Sequence, residues 1–484
     1  MSKPPACRDR VPVKIKLALG VGAFPSFFGY AGVSILAYPV YNMMFGISAT
    51  WIGIALMLPR LWDGLIGLVV GRASDNFRSH FGRRKLFIIS GAIAMGLIFG
   101  LIWFVPLSWS DTMKLSYFIV MQILFFTAYA FFAVPYSALI YEVSPDYGDR
   151  TRVAAYTAFF HKLAELAGGW MLPLAGLLSI ILVAGATGLN MTGIRAMGWL
   201  IGILIMAGVG IFPGLYVRER FSILTRHQGS VSIRAGLYSA MRSAAFLTLV
   251  AIAVLNTISG VLAMGIDQYI LVYFMNHGDK AVGLLQKGLL TTGYGVIGFA
   301  SIPLITWLAG NLGKSRSLNF AYQLMLVGGV MKWFIFVPGH HFIHVGGVTL
   351  DPVILIDPLL CGPMWVAVKI ILASMMGDIC DEDEFRHGQR REGMFAGIFA
   401  WVEKTVLAVS YLGTGLALMF AGFNPALGGA QAPETFTTMR LFLAGAPVAT
   451  AVLALIAIKF YPISAARAAE TRAQLEARRG VVGV

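Results

Sequence analysis

The segment from Arg60 to Lys85, RLWDGLIGLVVGRASDNFRSHFGRRK, contains the residues of this chain that are best suited to chemistry. A single carboxylate, Asp63, lies in an apolar stretch, and a short basic loop follows it. An ionisable group inside a membrane segment costs free energy, so it is usually retained for a function. A carboxyl group shielded from water can bind and release a proton near neutral pH, or help to bind a cation. Asp63 is therefore a candidate for proton or cation binding.

The composition indicates a protein with many membrane spans. Hydrophobic residues make up 58% of the 484 residues, charged residues only 12%, and the mean hydropathy is +0.76. Crossing a bilayer about 30 Å thick takes roughly 20 mostly apolar residues. About twelve such spans are predicted, at 17–45, 49–74, 86–107, 114–143, 153–184, 196–217, 243–276, 282–309, 319–338, 350–379, 393–421 and 437–462.

Basic residues set the predicted orientation, because Lys and Arg resist transfer across a membrane. Most of the 37 Lys and Arg residues fall in the two tails and in every second loop, so both termini are expected in the cytoplasm. The net charge of +14 then reflects topology and affinity for anionic lipid headgroups. No basic run is interleaved with aromatic residues in a soluble domain, which argues against nucleic-acid binding. The expected location is the cell (inner) membrane.

One long polar stretch, 218–242, divides the chain into two halves with six predicted spans each. A weak internal sequence similarity supports duplication, since the basic loop after the second span has a shorter counterpart at Ala309–Ser317, AGNLGKSRS. Parallel halves of this kind surround a site near the bilayer midplane in many transporters. The segment Ala465–Gly480 is predicted to form an amphipathic helix that lies on the membrane. The predicted divisions are 1–217 and 243–462 for the two bundles, 218–242 for the linker and 463–484 for the tail.

Patterns typical of enzymes or metal sites are weak. The three cysteines are expected in a tail, inside a span and near a helix end, so they form no disulfide or zinc framework. His340, His341 and His344 have a spacing compatible with a metal, but no carboxylate or Cys accompanies them. The chain has no GxxxxGK[ST] phosphate loop and no recognisable catalytic triad. We therefore predict no enzyme activity, no metal and no cofactor.

Three segments resemble a known family. Arg60–Lys85 resembles the RxWDxxxDPxxGxxxDxxxxxxGRR signature of the glycoside-pentoside-hexuronide:cation symporters, the melibiose-permease-like branch of the major facilitator superfamily. Val134–Arg152, VPYSALIYEVSPDYGDRTR, resembles that family's loop between spans 4 and 5. Gly377–Lys404, GDICDEDEFRHGQRREGMFAGIFAWVEK, resembles its region from span 10 into span 11. The resemblance implies an all-α membrane protein with twelve transmembrane helices in two pseudo-symmetric six-helix bundles.

The chain departs from the family signature at one important position. In the family a second carboxylate follows the first by four residues, but here that position is Gly67, and the next is Leu68 instead of Pro. One carboxylate supplies at most two of the roughly six oxygens that a hard cation needs, so a proton is the favoured partner of Asp63. A structural alternative stays open, in which Asp63 pairs with Arg60 and only fixes helix packing.

Two positions that the resemblance implies for sugar recognition also differ. Phe27 and Ala133 stand where the family has acids in its first and fourth spans, and an arginine expected early in span 5 falls at Ala158 or nearby. Apolar side chains at these positions offer few hydrogen-bond partners to a sugar, which is rich in hydroxyl groups. Two classes of solute therefore stay open: a sugar or glycoside held by other side chains, or an amphiphile such as a lysolipid.

Other side chains are candidates to bind solute or to pair with Asp63. Lys162 and Glu165 are three residues apart on predicted span 5 and share one helix face, beside His161. Lys404 in span 11 falls where the resemblance implies a functional lysine, so we predict it as the charge partner of Asp63. The remaining predicted solute-binding residues are Tyr136, Trp365, Trp401 and Glu403.

Charged residues at predicted cytoplasmic helix ends form a candidate gate. Ion pairs between helix ends would hold one state of a transporter closed and break in the other. The alternative is that these charges only determine the orientation of the helices in the membrane. The predicted gate residues are Asp75, Arg83, Arg84, Glu142, Arg150, Arg152, Asp378, Arg390 and Arg391.

The sequence as a whole predicts a secondary active transporter that moves a small organic solute by alternating access. A sugar or glycoside is the favoured solute and a lysolipid-like amphiphile is the alternative. H⁺ or Na⁺ would be the coupling ion, with membrane lipid as the surrounding partner. We expect a monomer that binds no nucleic acid.

Overall fold

The structure of this chain is a computed structural model, which describes residues 11–77, 84–142, 147–186, 188–216, 240–339, 343–345, 348–387 and 392–479. Almost all of these residues are helical. Nine α-helices lie in the first half of the described chain: α1 (Val13–Val21), α2 (Ala23–Ala37), α3 (Ala49–Asn76), α4 (Lys85–Ile102), α5 (Asp111–Glu142), α6 (Tyr147–Gly169), α7 (Met171–Leu182), α8 (Met191–Trp199) and α9 (Ile211–Tyr216). Helices α2 and α8 continue as π-helical turns, Tyr38–Met44 and Leu200–Val209.

The second half of the described chain has seven α-helices and one short hairpin. The helices are α10 (Ala244–Tyr269), α11 (Lys280–Leu312), α12 (Lys314–Ile335), α13 (Ile356–His387), α14 (Glu392–Phe420), α15 (Pro433–Lys459) and α16 (Ala465–Arg479). Helix α10 continues as a π-helical turn, Ile270–Met275. Strands β1 (Ile343–Val345) and β2 (Val348–Leu350) pair antiparallel, with His344 opposite Thr349.

The described residues contain 11 helical segments that are long and apolar enough to cross a membrane. A twelfth span results if Arg152–Gly169 and Met171–Leu182, which meet at an angle of 49°, are counted together. The predicted boundaries differ from these helices by a few residues, as at span 1, which is Val13–Met44. The helices also expose large apolar side chains, such as Leu68 (71% exposed), as expected of surfaces that face lipid.

Local sequence explains where several helices begin. The Ser243 side chain accepts a hydrogen bond from Phe246 N, and the Asp279 side chain accepts from Ala281 N and Val282 N. Such caps satisfy backbone N–H groups that the first turn of a helix leaves unpaired. Between α11 and α12 the chain turns at Gly313, whose φ of 84° is a conformation that favours glycine.

Small residues allow helices to approach closely in the first half of the chain. A side chain added at Gly96 or at Gly202 would collide with the backbone of the other residue, so α4 and the π-helical turn after α8 touch through these two glycines. Membrane helices commonly pack in this way, because no hydrophobic driving force acts between them inside lipid. A substitution at either glycine would force these segments apart.

The chain divides into two compact units, Met1–Gln228 and Gly229–Val484. In the first unit, fully buried aromatic rings of α4, of α5 and of Trp103, the residue after α4, form a cluster, with Phe99 against Trp103 and Phe125. In the second unit, buried side chains of α10, α12, α13 and α15 form a continuous apolar core. The finer boundaries predicted for linker and tail stay predictions.

The predicted C-terminal helix is present as α16 and is attached to α13. Arg467 Nη2 lies 3.2 Å from Glu382 Oε1, and the buried Thr471 hydroxyl donates to Glu382 Oε2 at 2.8 Å. The hydrogen bond and the negative charge of Glu382 raise the pKa of Arg467. Helix α16 therefore packs on protein through at least part of its length, whereas the sequence predicted a helix lying on the membrane.

Candidate functional site

Asp63 lies near the middle of α3 and is buried, with 1% of its surface exposed. Arg60, one turn earlier and 4% exposed, is its ionic neighbour: Arg60 Nη1 lies 3.9 Å from Asp63 Oδ2. This separation allows electrostatic attraction but exceeds hydrogen-bonding distance. The pairing that the structural alternative required is therefore present, and a coupling role of Asp63 stays a prediction.

Aromatic rings surround the Arg60 guanidinium. Its Cζ atom lies 4.7 Å from the centre of the Tyr30 ring and 4.3 Å from that of Phe126. Cation–π contacts of this kind stabilise a cation that has lost its water. Neither Nη1 nor Nη2 of Arg60 has a hydrogen-bond partner among the described residues. The arginine is thus held by rings and by the charge of Asp63, which leaves its position sensitive to that charge.

The position one turn after Asp63 offers no second carboxylate. A Cβ atom added to Gly67 would lie 3.8 Å from Val134 Cγ2, an ordinary van der Waals contact. The space next to Gly67 is therefore apolar in that direction but could accept a side chain. Among the described residues, no group of three or more His, Cys, Asp and Glu side chains is placed to hold a metal ion.

The candidate solute-binding residues of α6 lie together and are partly exposed. Lys162 Nζ and Glu165 Oε2 are 2.7 Å apart, which confirms the ion pair expected from their spacing. Their side chains are 22% and 36% exposed. His161 contacts Phe27 edge to face, with ring centres 5.6 Å apart. Phe27 also packs closely on Gly168, so this ring joins α2 to α6.

The predicted aromatic ligands have different surroundings. The buried Tyr136 hydroxyl donates to the carbonyl of Leu19 at 2.5 Å, which is a contact between helices. Trp365 packs closely on Gly260 of α10. Trp401 is 52% exposed. Only Trp401 presents a large open surface, and the solute-binding roles of all three stay predictions.

Helices α13 and α14 carry ionisable side chains near their centres. Glu403 is exposed, and the positive charge of Lys369 on α13 acts on it. Lys404 is half-buried, and its predicted pairing with Asp63 stays a prediction. The sequence reasoning did not include Lys369, although a lysine inside predicted span 10 is a signal of the same kind as Lys404.

The predicted gate is only partly described. Arg83, Arg390 and Arg391 lie outside the described residues, and the side chains of Asp75, Glu142 and Arg150 are likewise not described. Arg84 is buried and Arg152 is exposed. Asp378 Oδ2 lies 2.6 Å from Lys314 Nζ. Lys314 belongs to Ala309–Ser317, the segment that is weakly similar to the basic loop of the first half.

The second unit contains buried ion pairs that the sequence reasoning missed. Lys332 Nζ lies 2.5 Å from Asp357 Oδ2, with these side chains 4% and 1% exposed. Lys287 Nζ lies 2.5 Å from Asp267 Oδ1. Each of the four residues falls inside or next to a predicted span, so the rule that singled out Asp63 could have found them. Their pairing could not be found, because each comes from a different helix.

The chain belongs to the MFS/sugar transport protein family, whose sequence model matches residues 18–465. It is thus a member of the glycoside-pentoside-hexuronide:cation symporters within the major facilitator superfamily, and the predicted family is confirmed. The predicted all-helical transporter fold is confirmed as well. Proteins of this family are multi-pass membrane transporters and not enzymes. A symporter carries a small-molecule substrate together with a cation.

Two relatives cover nearly the whole chain but differ in their named solutes. The isoprimeverose transporter of Lactiplantibacillus pentosus is 21% identical over 94% of this chain and 90% of its own. The sodium-dependent lysophosphatidylcholine symporter 1 of Gallus gallus is 22% identical over 98% of this chain and 92% of its own. One relative is thus named for a sugar and the other for a lysolipid.

A solved structure has the same fold. A D-xylose-proton symporter superposes with a TM-score of 0.61, at 13% identity over 93% of this chain and 98% of its own. At this identity the likeness concerns the fold alone.

Proposed function

We propose that this protein is a proton-coupled symporter of a sugar or glycoside. The observation that supports it most is the single buried carboxylate near the centre of α3, Asp63, beside an arginine and without a second carboxylate at Gly67. One carboxylate can bind a proton with one oxygen, whereas a dehydrated sodium ion needs several oxygen ligands. The proton is therefore the better match to this site.

Proton binding at Asp63 would act on Arg60. Binding converts the carboxylate to a neutral acid and removes the attraction that holds the guanidinium 3.9 Å away. Arg60 would then depend on the Tyr30 and Phe126 rings alone, and its preferred position would change. A ligand shifts a conformational equilibrium only by its difference in affinity between two states. In this proposal the charge of Asp63 creates that difference.

Polar groups in both units support a hydroxyl-rich solute. In the first unit, His161 and the partly exposed Lys162–Glu165 pair form a polar surface on α6. In the second unit, the exposed Glu403 and the half-buried Lys404 form another on α14. Charged side chains in the middle of a span need polar surroundings, and hydroxyl groups of a sugar would supply them.

A lysolipid-like amphiphile is the second candidate. Phe27 supports it, because an aromatic ring packed on Gly168 stands where the family resemblance implies an acid. The relative named for lysophosphatidylcholine is as similar to this chain as the relative named for isoprimeverose. The proposed orientation, with both termini in the cytoplasm of a cell whose inner membrane holds the protein, applies to either solute.

Uptake into proteoliposomes tests solute and ion together. Purified protein would be offered labelled isoprimeverose, a simple alkyl glycoside or lysophosphatidylcholine under an inward proton gradient or an inward Na⁺ gradient. The proposal expects glycoside uptake driven by the proton gradient and lost in Asp63→Asn. Asp111→Asn is the matched control, because Asp111 also lies beside a basic residue three positions away, Lys114, but is 64% exposed.

Two results would contradict the proposal. Lysophosphatidylcholine uptake without glycoside uptake would identify the second candidate instead. Glycoside uptake driven by Na⁺ but not by a proton gradient would refute the coupling ion.

A further inference from the structure

We infer that Glu403, in the second unit, is a proton-binding carboxylate that is separate from Asp63 and open to water. Glu403 lies in the interior of α14, and its side chain is exposed. Its carboxylate forms no hydrogen bond with a described residue, and the positive charge of Lys369 on α13 acts on it. An ionised side chain in the interior of a membrane helix usually faces the protein interior or a water-filled space.

One face of α14 carries only small side chains between the start of the helix and Glu403. Ala396, Ala400 and Glu403 are four and three residues apart, so they share this face, and all three are exposed. Large apolar side chains lie on the other side of the helix, where Trp401 and Val409 are each 52% exposed. Trp401 is roughly 200° around the helix axis from Glu403. The side of Trp401 and Val409 is therefore suited to lipid, and the side of Glu403 to water.

Helix α13 has a similar face. Lys369, Ala373 and Gly377 follow one another at intervals of four residues, and all three are exposed. A Cβ atom added to Gly377 would meet no atom within 4 Å, so the space beside it is open. On both helices the small residues lie between the charged side chain and the consecutive helix ends, His387 of α13 and Glu392 of α14. These two faces leave room for water to reach Lys369 and Glu403 from those ends.

Lys369 is the charge that bears on Glu403. Helices α10, α13 and α15 pack on α14. Asp267 of α10 accepts from Lys287 Nζ with both oxygens, at 2.5 and 2.6 Å. Lys404 follows Glu403 but lies roughly 100° further around the axis of α14. The charged residues of α15 lie in its first two turns or at its last residue, and they are Glu434, Arg440 and Lys459.

A proton can bind to Glu403 without breaking a hydrogen bond to the described residues. Asp357 differs, because Lys332 Nζ at 2.5 Å and the Tyr294 hydroxyl hold its carboxylate in the charged form. At Glu403 a hydronium ion would transfer its proton, an O–H bond would form at one carboxylate oxygen, and a water molecule would leave. The charge of Lys369 is then no longer offset by Glu403. The second unit thus has an electrostatic response to pH of its own.

This inference goes beyond the proposed symport and does not depend on Asp63, so its test uses purified protein in liposomes without solute or gradient. Dicyclohexylcarbodiimide reacts with the protonated form of a carboxyl group in a membrane, and mass spectrometry of peptides measures the fraction of Glu403 that is modified. We expect modification of Glu403 to increase as the pH falls and to follow the same curve in Asp63→Asn.

Lys369→Met tests the origin of the response. Without the nearby positive charge the neutral acid is favoured, so Glu403 should reach the same extent of modification at a pH about one unit higher. Lys459→Met is the matched control, because it removes the same charge from the exposed end of α15. Its curve should coincide with that of the unmodified protein.

Ala400→Cys tests the access of water and keeps the inference testable if Lys369→Met does not fold. A charged methanethiosulfonate reagent reacts with thiolates that water reaches. We expect Ala400→Cys to react faster than the background of the unmodified protein, which has three native cysteines. Val409→Cys is the matched control, because Val409 is exposed on the side of α14 that carries Trp401, and it should stay at background.

Three results would overturn the inference. The first is modification of Glu403 that does not depend on pH, and the second is a Lys369→Met curve that coincides with that of Lys459→Met. The third is equal reaction of Ala400→Cys and Val409→Cys with the thiol reagent. If Asp63→Asn leaves proton-driven uptake intact, the proposed function fails, but the pH dependence at Glu403 is unaffected.

Discussion

The two units of this protein hold their buried charges in different ways. In the first unit, Arg60 and Asp63 lie on one helix, 3.9 Å apart, and aromatic rings support the arginine. In the second unit, Lys332 and Asp357 come from two helices, are 2.5 Å apart and share Tyr294 as a third member. The first pair is loose and local, whereas the second is tight and joins separate helices.

This difference indicates two different uses of a buried carboxylate. A tight pair between helices resists separation, because removing one partner leaves the other as a buried charge without water or an ionic partner. A loose pair within a helix contributes little to packing, since the helix holds both residues in place already. We therefore expect substitutions in the second unit to affect stability most and substitutions in the first unit to affect coupling most.

The largest effect should come from Lys332→Met. Asp357 would then be buried without its main partner, and breaking a buried pair costs about 3–5 kcal/mol. Thermal unfolding of the purified protein in detergent would measure the loss. The double variant Lys332→Met/Asp357→Leu removes both charges and should recover most of the stability. A double variant less stable than the single one would contradict the comparison.

Asp63→Asn should affect coupling more than stability. Coupling between two ligands commonly changes an affinity by a factor of about 5 to 150. Proton-driven uptake should therefore decrease by a factor in that range, while solute exchange at equal concentrations persists. Uptake and exchange in proteoliposomes, beside Asp111→Asn, would measure the two effects. Equal loss of exchange and of uptake would mean that Asp63 supports the structure and not the coupling.

Gly67→Asp would restore the second carboxylate that the family signature has. A Cβ there meets only Val134 within 4 Å. Two carboxylates one turn apart offer enough oxygens to hold Na⁺ with the help of water. Uptake should then gain a stimulation by Na⁺ of about fivefold, the lower end of typical coupling.

Gly64→Asp is the control for this gain, because its Cβ would meet no atom within 4 Å. It adds the same charge to α3 without placing it one turn after Asp63. Equal stimulation by Na⁺ in both variants would show that position along the helix is unimportant.

The smallest effect is expected at the attachment of α16. Thr471→Ala removes the hydroxyl that donates to Glu382 Oε2 at 2.8 Å, a loss of about 1 kcal/mol for a typical hydrogen bond. Protease cleavage in the segment after Lys459 would report whether α16 detaches more easily. Thr437→Ala is the control, since Thr437 is exposed and bonds only to the carbonyl of Pro433 in its own helix. Unchanged cleavage in Thr471→Ala would exclude a role of this bond in attachment.

Much of the fold could be predicted from the sequence for a simple physical reason. Crossing a bilayer requires a long apolar helix, and a run of about 20 apolar residues is visible without any knowledge of contacts. The pair of Lys162 and Glu165 was equally accessible, because residues three apart on a helix always share a face. The same local rule predicts that Arg60 and Asp63, which are also three residues apart, lie close together on one helix face.

The buried ion pairs of the second unit lie beyond that rule. Asp267, Lys287, Lys332 and Asp357 are each visible in the sequence as an ionisable residue in or beside a span. Their pairing depends on which faces of α10, α11, α12 and α13 meet, and no spacing along the chain encodes that.

The sequence by itself determined the class of this protein, its spans and the carboxylate near the centre of α3, because hydropathy and helix periodicity are local properties. Only the tertiary structure decided that Tyr136 bonds to Leu19, that α16 rests on α13 and that Lys332 pairs with Asp357. Each of these contacts joins residues far apart in the chain. Burying a polar or charged group costs free energy unless it finds a partner, and a linear pattern does not contain which partner folding brings near.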